Sequence, residues 1–119
     1  MCYSAVVPNS PDSTQLLKGV LDLAVLAVLS SEDGYGYDVV RRLREAGLRD
    51  VAEASVYGTL RRLFADGFLS SYVVPSEEGP HRKYYALTPN GRSHLVAQAA
   101  VWRDFSRAVS ALLDSAGKD

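Results

Sequence analysis

Residues 68–89 run Phe68-Leu69-Ser70-Ser71-Tyr72-Val73-Val74, then Pro75-Ser76-Glu77-Glu78-Gly79-Pro80-His81, then Arg82-Lys83-Tyr84-Tyr85-Ala86-Leu87 and Thr88-Pro89. The first and third segments are rich in aromatic and β-branched residues, which favour strands. Prolines and a glycine confine the middle segment to a turn, because proline cannot donate to a sheet ladder. The stretch therefore predicts a β-hairpin with a polar, partly basic far end. Thr88-Pro89 then opens a helix. Threonine supplies a capping oxygen, and proline at the first helical position gives up an N–H that needs no intrahelical partner.

Downstream, Leu95, Ala99, Trp102, Phe105, Val109 and Leu112 recur at spacings of 4, 3, 3, 4 and 3. That spacing makes one helical face. No later element remains to cover it, so its cover is the first helix or another copy of itself. Upstream, Val56, Leu60, Leu63 and Phe64 predict a helix over 53–66, with Glu53 in its first turn and Gly67 ending it. Before it, Val39, Val40 and Leu43 form the inner stripe of a helix from about Tyr35 to Ala46. Arg41, Arg42 and Arg44 face outward, and Gly47 is the stop. From Thr14 to Leu29 the chain is apolar nearly all round, as in a helix buried on most sides. Ser30 to Gly34 reads as a polar turn. Residues 1–13, with two prolines, read as a flexible arm, and residues 116–119 as a tail.

The chain has 119 residues, enough for one compact domain. Its formal charge is −1, from 13 basic and 14 acidic side chains. Phosphate binding usually leaves a basic signature, so any basic surface here must be local. Cys2 is the only cysteine, which excludes an intrachain disulfide framework. No secretory signal pattern or membrane-spanning apolar run is present, and a cytoplasmic protein with no membrane association is the expectation. His81 and His94 have no cysteine or carboxylate at a ligand spacing, so neither metal nor other cofactor is expected. No phosphate loop, carboxylate pair or nucleophile motif points to an enzyme.

The element order is helix, helix, turn, helix, hairpin, helix. The fold expected is mainly α with a small β-hairpin: a winged helix-turn-helix over 14–88 with an additional C-terminal dimerisation helix over 89–115. The chain resembles the PadR family of transcriptional regulators at four places in order. These are Leu16 to Asp22, Gly34 to Asp38, Ala54 to Leu63 with Asp66 to Leu69, and Gly79 to Thr88 with Gly91. The likeness spans about residues 14–113, and the wing segment is its most specific part. It departs at Gly58, where the family commonly has proline, and at Ala52, where a hydroxyl residue is common. The resemblance implies a dimeric regulator of transcription, usually a repressor, of the smaller subclass. The function expected is binding of double-stranded DNA at a two-fold symmetric operator as a homodimer, with release by a small-molecule effector. The rival readings are a winged-helix protein-interaction module and a ligand sensor without direct DNA binding.

On the helix over 53–66, Ser55, Gly58, Thr59 and Arg62 are separated by three or four residues and read as one outer face for base edges or phosphate, flanked by Tyr57 and Arg61. Tyr57 either gives its hydroxyl to a phosphate or packs in the core. Of Tyr35 and Tyr37, at the start of the second helix, one is expected on the DNA backbone and the other in the core. His81, Arg82 and Lys83 suit phosphate contact from the wing. Lys18 reaches phosphate, as the resemblance suggests, or pairs with Asp22 one turn on. In the last helix, Leu95, Ala99, Trp102, Phe105, Val109 and Leu112 form the dimer face. Trp102 and Phe105 either pack there or stack on a flat aromatic effector, as some short members of the family do.

Overall fold

A computed structural model describes residues 14–117. The expected arm over 1–13, with Cys2, and residues 118–119 of the tail lie outside the described residues. Four helices and three strands follow in the order α1 (Thr14–Ser31), β1 (Gly34–Tyr35), α2 (Gly36–Glu45), α3 (Glu53–Ala65), β2 (Leu69–Val74), β3 (Arg82–Leu87) and α4 (Pro89–Ala116). The strands form an antiparallel sheet in the order β1-β3-β2. The hairpin falls where its sequence put it, but it gains a third strand. Gly34–Tyr35, read as the end of a turn and the start of a helix, pairs with Tyr85 and Tyr84 instead. A two-residue strand is too short to show alternation, which is why the pattern missed it.

The core is made by Val25, Leu26 and Leu29 of α1, Val39, Val40 and Leu43 of α2, and Val56, Leu60 and Leu63 of α3. Leu69 and Tyr85 close it from the sheet. The predicted stripes of α2 and α3 are thus the buried ones.

The two short helices end alike. Gly47 and Gly67 both have positive φ, at 121° and 86°. After α2, Leu48 N donates to Leu43 O and Gly47 N to Arg44 O. After α3, Phe68 N donates to Leu63 O and Gly67 N to Phe64 O. This paired pattern satisfies the last carbonyls of each helix, and a non-glycine residue would be strained at the turning position. Leu48 and Phe68, the residues just beyond each glycine, pack against the core.

The start of α4 is fixed by the second of these turns. Thr88 Oγ1 accepts from Gly91 N at 3.0 Å and donates to Gly67 O at 2.8 Å, while Thr88 N donates to Phe68 O. Gly91 lies so close to Phe68 that a Cβ there would sit 2.1 Å from its carbonyl oxygen. His94 stacks on the Phe68 ring at 4.2 Å. Beyond this root, among the described residues, Leu95 is the hydrophobic side chain of α4 that packs against the core. The 28 residues of α4 reach about 42 Å at 1.5 Å per residue, which makes the molecule long, 60 × 33 × 23 Å.

Two outward-facing expectations on α2 are corrected. Arg42 turns back to α1, donating to Val28 O at 2.7 Å and to Glu32 O at 3.2 Å, and it pairs with Asp38. It supplies the donors that the C-terminal carbonyls of α1 lack. Arg44 donates to Val51 O at 2.9 Å and holds the link between α2 and α3. Arg41 alone stays on the surface, between Asp38 and Glu45.

Candidate nucleic-acid interface

One groove runs between the start of α2, the side of α3 and the hairpin. It is lined by Tyr35, Gly36, Tyr37, Tyr57, Leu60, Arg61, Arg82, Lys83 and Tyr85. Six of the residues singled out in the sequence therefore meet: Tyr35, Tyr37, Tyr57, Arg61, Arg82 and Lys83. The Tyr57 ring lies against Gly36, where an added Cβ would come within 2.6 Å of it. Glycine at 36 is what lets α3 carry this tyrosine over the start of α2. Tyr57 Oη donates to Glu53 Oε1 at 3.5 Å. Burial and the Glu53 carboxylate raise the Tyr57 phenol above its ordinary pKa, so it stays a neutral donor. Tyr37 is exposed and Tyr35 half-buried, so neither takes the core position expected for one of them.

Two cations of the groove rest on rings. The Arg82 guanidinium carbon lies 4.5 Å from the centroid of Tyr35, and Lys83 Nζ lies 5.3 Å from Phe64 and 5.5 Å from Tyr85. A π face orients a cation without neutralising it, so the charge remains available to an anion. Among the described residues, Arg61 takes part in no ion pair and is exposed. His81 and Ser55 are also exposed, and Gly58 is half-buried with no atom nearer than 3.9 Å to an added Cβ.

Three predicted residues fall elsewhere. Thr59, expected on the outer face, is 5% exposed and belongs to the interior. It lies one turn from Leu63 and Val56, so the inward stripe is wider than the apolar residues alone indicate. Arg62 points away from the groove and pairs with Asp22 of α1. Lys18 lies with that pair, along a second groove of about 650 Å³ between α1 and α4, and Asp22 takes Arg62 rather than Lys18 as its partner. Leu16, Val20, Leu23, His94, Trp102 and Phe105 also line this groove. Of the predicted dimer face, Leu95 and Ala99 are half-buried while Trp102, Phe105, Val109 and Leu112 are exposed in the single chain.

Sequence reading missed Asp33 and Tyr72. Tyr72 Oη donates to Asp33 Oδ2 at 2.6 Å, a bond that raises the tyrosine's pKa. The hairpin register, with Tyr72 opposite Tyr84, was the available signal for the tyrosine. Nothing in the sequence marks its partner 39 residues away. Among the described residues, no cluster of His, Cys, Asp and Glu could hold a metal, and no helix is long and apolar enough to cross a membrane.

A helix-turn-helix whose second helix shares a cationic, aromatic groove with a β-hairpin defines the class: a winged-helix transcriptional regulator. The family follows from the chain itself, since residues 25–97 match the model of the transcriptional regulator PadR-like family, and the protein belongs to that family. A PadR-like transcriptional regulator from Bacillus cereus strain ATCC 14579 is 35% identical and superposes with a TM-score of 0.74, over 83% of this chain and 96% of that one. A PadR family transcriptional regulator from Eggerthella lenta DSM 2243 is 32% identical, with a TM-score of 0.75 over 84% and 87% of the chains. A Streptococcus transcriptional regulator is 35% identical, with a TM-score of 0.72 over 82% and 96%. A sequence search of curated proteins finds no match.

Proposed function

We propose that this regulator is a homodimeric repressor that binds a two-fold symmetric operator and is released by a flat aromatic effector. Placing α3 in the major groove puts Ser55, Gly58 and Arg61 nearest the bases, with His81, Arg82 and Lys83 of the hairpin along the flanking phosphates. Tyr35 and Tyr37 donate from their hydroxyls to the backbone, and Tyr57 joins them by exchanging Glu53 for a phosphate oxygen as its acceptor. The observation that carries this reading is the convergence of Arg61, Arg82 and Lys83 on one groove, while Arg42 and Arg44 are held by backbone carbonyls and Arg62 is paired with Asp22 on another side of the molecule. A chain of charge −1 can attract DNA only by such placement.

Dimerisation is supported by α4, whose Trp102, Phe105, Val109, Leu112 and Leu113 are all exposed. An apolar face of that length on a soluble chain marks an association surface. Self-association doubles the DNA contact, and a rigid dimer sets half-sites about one helical turn apart. The groove between α1 and α4, with Trp102 and Phe105 on its wall, suits a flat aromatic molecule.

Selection of bound duplexes from random DNA, followed by titration at several salt concentrations, tests the reading. A two-fold symmetric consensus and affinity that falls steeply with salt are expected. Salt-independent or absent binding overturns it. Phe105→Asp should convert the dimer to a monomer in sedimentation and weaken binding to the full site far more than to a half-site. A dimer unaffected by that charge would move the association surface off α4.

A further inference from the structure

The hairpin has a mechanical weakness. β1 pairs only with Tyr84 and Tyr85, so Arg82 and Lys83 extend past the last strand that braces β3 on that side. On the other side β2 is an edge strand, and a free two-stranded ribbon is marginal alone. Something besides the ladder must set the direction of the wing's cations.

A row of side chains crosses the sheet at this level. Tyr35, Tyr84 and Tyr72 are paired across β1, β3 and β2, and paired residues share a face. The Tyr35 and Tyr84 ring centroids are 5.4 Å apart and those of Tyr84 and Tyr72 are 5.7 Å apart. One end of the row carries Arg82, over the Tyr35 ring. The other end is tied by the Tyr72 hydroxyl to Asp33, just before β1. Hydroxyl, rings and guanidinium thus form one chain of contacts from the α1–β1 turn, across all three strands, and back to the wing's arginine.

We propose that Tyr72 and Asp33 are positioning residues for DNA binding, fixing through Tyr84 and Tyr35 the direction in which Arg82 is presented. The inference rests on the reading that Arg82 contacts the DNA backbone. It assigns a purpose to an acid beside a DNA-binding groove, where a negative charge otherwise opposes phosphate. Removing that charge would strengthen binding if electrostatics alone mattered. The positioning role requires the opposite sign.

A double-mutant cycle on the full chain tests it, read by titration of the selected duplex at several salt concentrations. Arg82→Ala should weaken binding and lower the magnitude of the salt slope by about one. Tyr72→Phe, which keeps the ring and the net charge, should weaken binding by about three- to ten-fold, the worth of one hydrogen bond. Asp33→Ala should weaken it similarly despite losing a negative charge, while Asp33→Asn, which keeps an acceptor oxygen, should restore most of the affinity. In the Arg82→Ala background Tyr72→Phe should have no further effect. If Tyr72→Phe weakens binding equally in both backgrounds, or leaves wild-type affinity unchanged while Arg82→Ala lowers it, the positioning role is overturned. If Arg82→Ala itself changes neither affinity nor slope, the reading of the wing as a phosphate contact falls, and this inference with it.

Discussion

Arg61 and Arg62 are neighbours in sequence, yet α3 turns about 100° between them and delivers them to different grooves. Arg61, exposed and in no ion pair, joins Arg82 and Lys83 between α2, α3 and the wing, where the latter two rest on tyrosine and phenylalanine rings. Arg62 joins Trp102 and Phe105 between α1 and α4, where Asp22 pairs with it. An aromatic ring holds a cation and leaves its charge to act outward. A carboxylate holds it and cancels the charge. The same residue type is therefore left without an ion pair in one groove, where anion binding is proposed, and ties α3 to α1 in the other. In a chain with slightly more acids than bases, this partition favours the first groove as the proposed phosphate site.

The two regions differ as sharply in how they tolerate an added methyl group. Gly91 roots α4, and a Cβ there meets the Phe68 backbone, which cannot swing aside. Gly91→Ala should cost about 3 kcal/mol, the upper range for overpacking, and lower the melting temperature by roughly 10 °C or more. At Gly36 the obstacle is the Tyr57 side chain, which can rotate. Gly36→Ala should unfold close to wild type but lose DNA affinity as Tyr57 leaves its place. Equal destabilisation by both variants would break the distinction between a structural root and an adjustable reading surface.

The paired arginines sharpen the contrast directly. Arg61→Ala should weaken operator binding by about 1–3 kcal/mol and relax preference at the base it faces. Arg62→Ala should leave base preference unchanged and lower stability by no more than about 1 kcal/mol, since its pair is half exposed. Competition titration against single-base operator variants separates them. Relaxed specificity in Arg62→Ala alone would reverse the assignment of the two grooves.

The difference between these arginines marks where sequence reading stops. The hairpin, the Thr88 cap, the two glycine stops and the inner stripes of α2 and α3 were legible because each rests on local chemistry: a fixed φ, a missing N–H, a period of 3.6. The groove was legible in part, through Tyr35, Tyr37, Tyr57, Arg61, Arg82 and Lys83. Arg62 was misplaced because periodicity gives a residue's angle about its own helix but not what stands opposite. Its partner Asp22 lies 40 residues away. Thr59 was misread because a polar residue beside an apolar stripe was taken as its outer border. It is instead buried within it. Arg42 was read as solvent-facing because the carbonyls it serves belong to another helix.

The smallest effects lie along α3 itself, where two departures from the family pattern can be set against each other. Ala52 occupies the cap position, with extended backbone at φ −92° and ψ 142°, and provides no side-chain hydrogen bond. Ala52→Ser adds an acceptor for a free amide of the first turn and should raise stability by about 0.5–1 kcal/mol. A lower melting temperature would move the start of α3. Gly58 lies mid-helix, where an added Cβ meets only the Arg61 guanidinium at 3.9 Å, so Gly58→Ala should add up to about 1 kcal/mol by restricting the unfolded chain. On stability alone the two substitutions are near equivalents. On DNA they should part, because Ala52 precedes the helix while Gly58 sits on the surface proposed to meet the bases. Ala52→Ser should bind as wild type, and Gly58→Ala should bind more weakly if the backbone approaches the groove wall at that position. Unchanged affinity in Gly58→Ala would mean that α3 meets DNA through its side chains alone, with Arg61 rather than the glycine setting how deeply it enters.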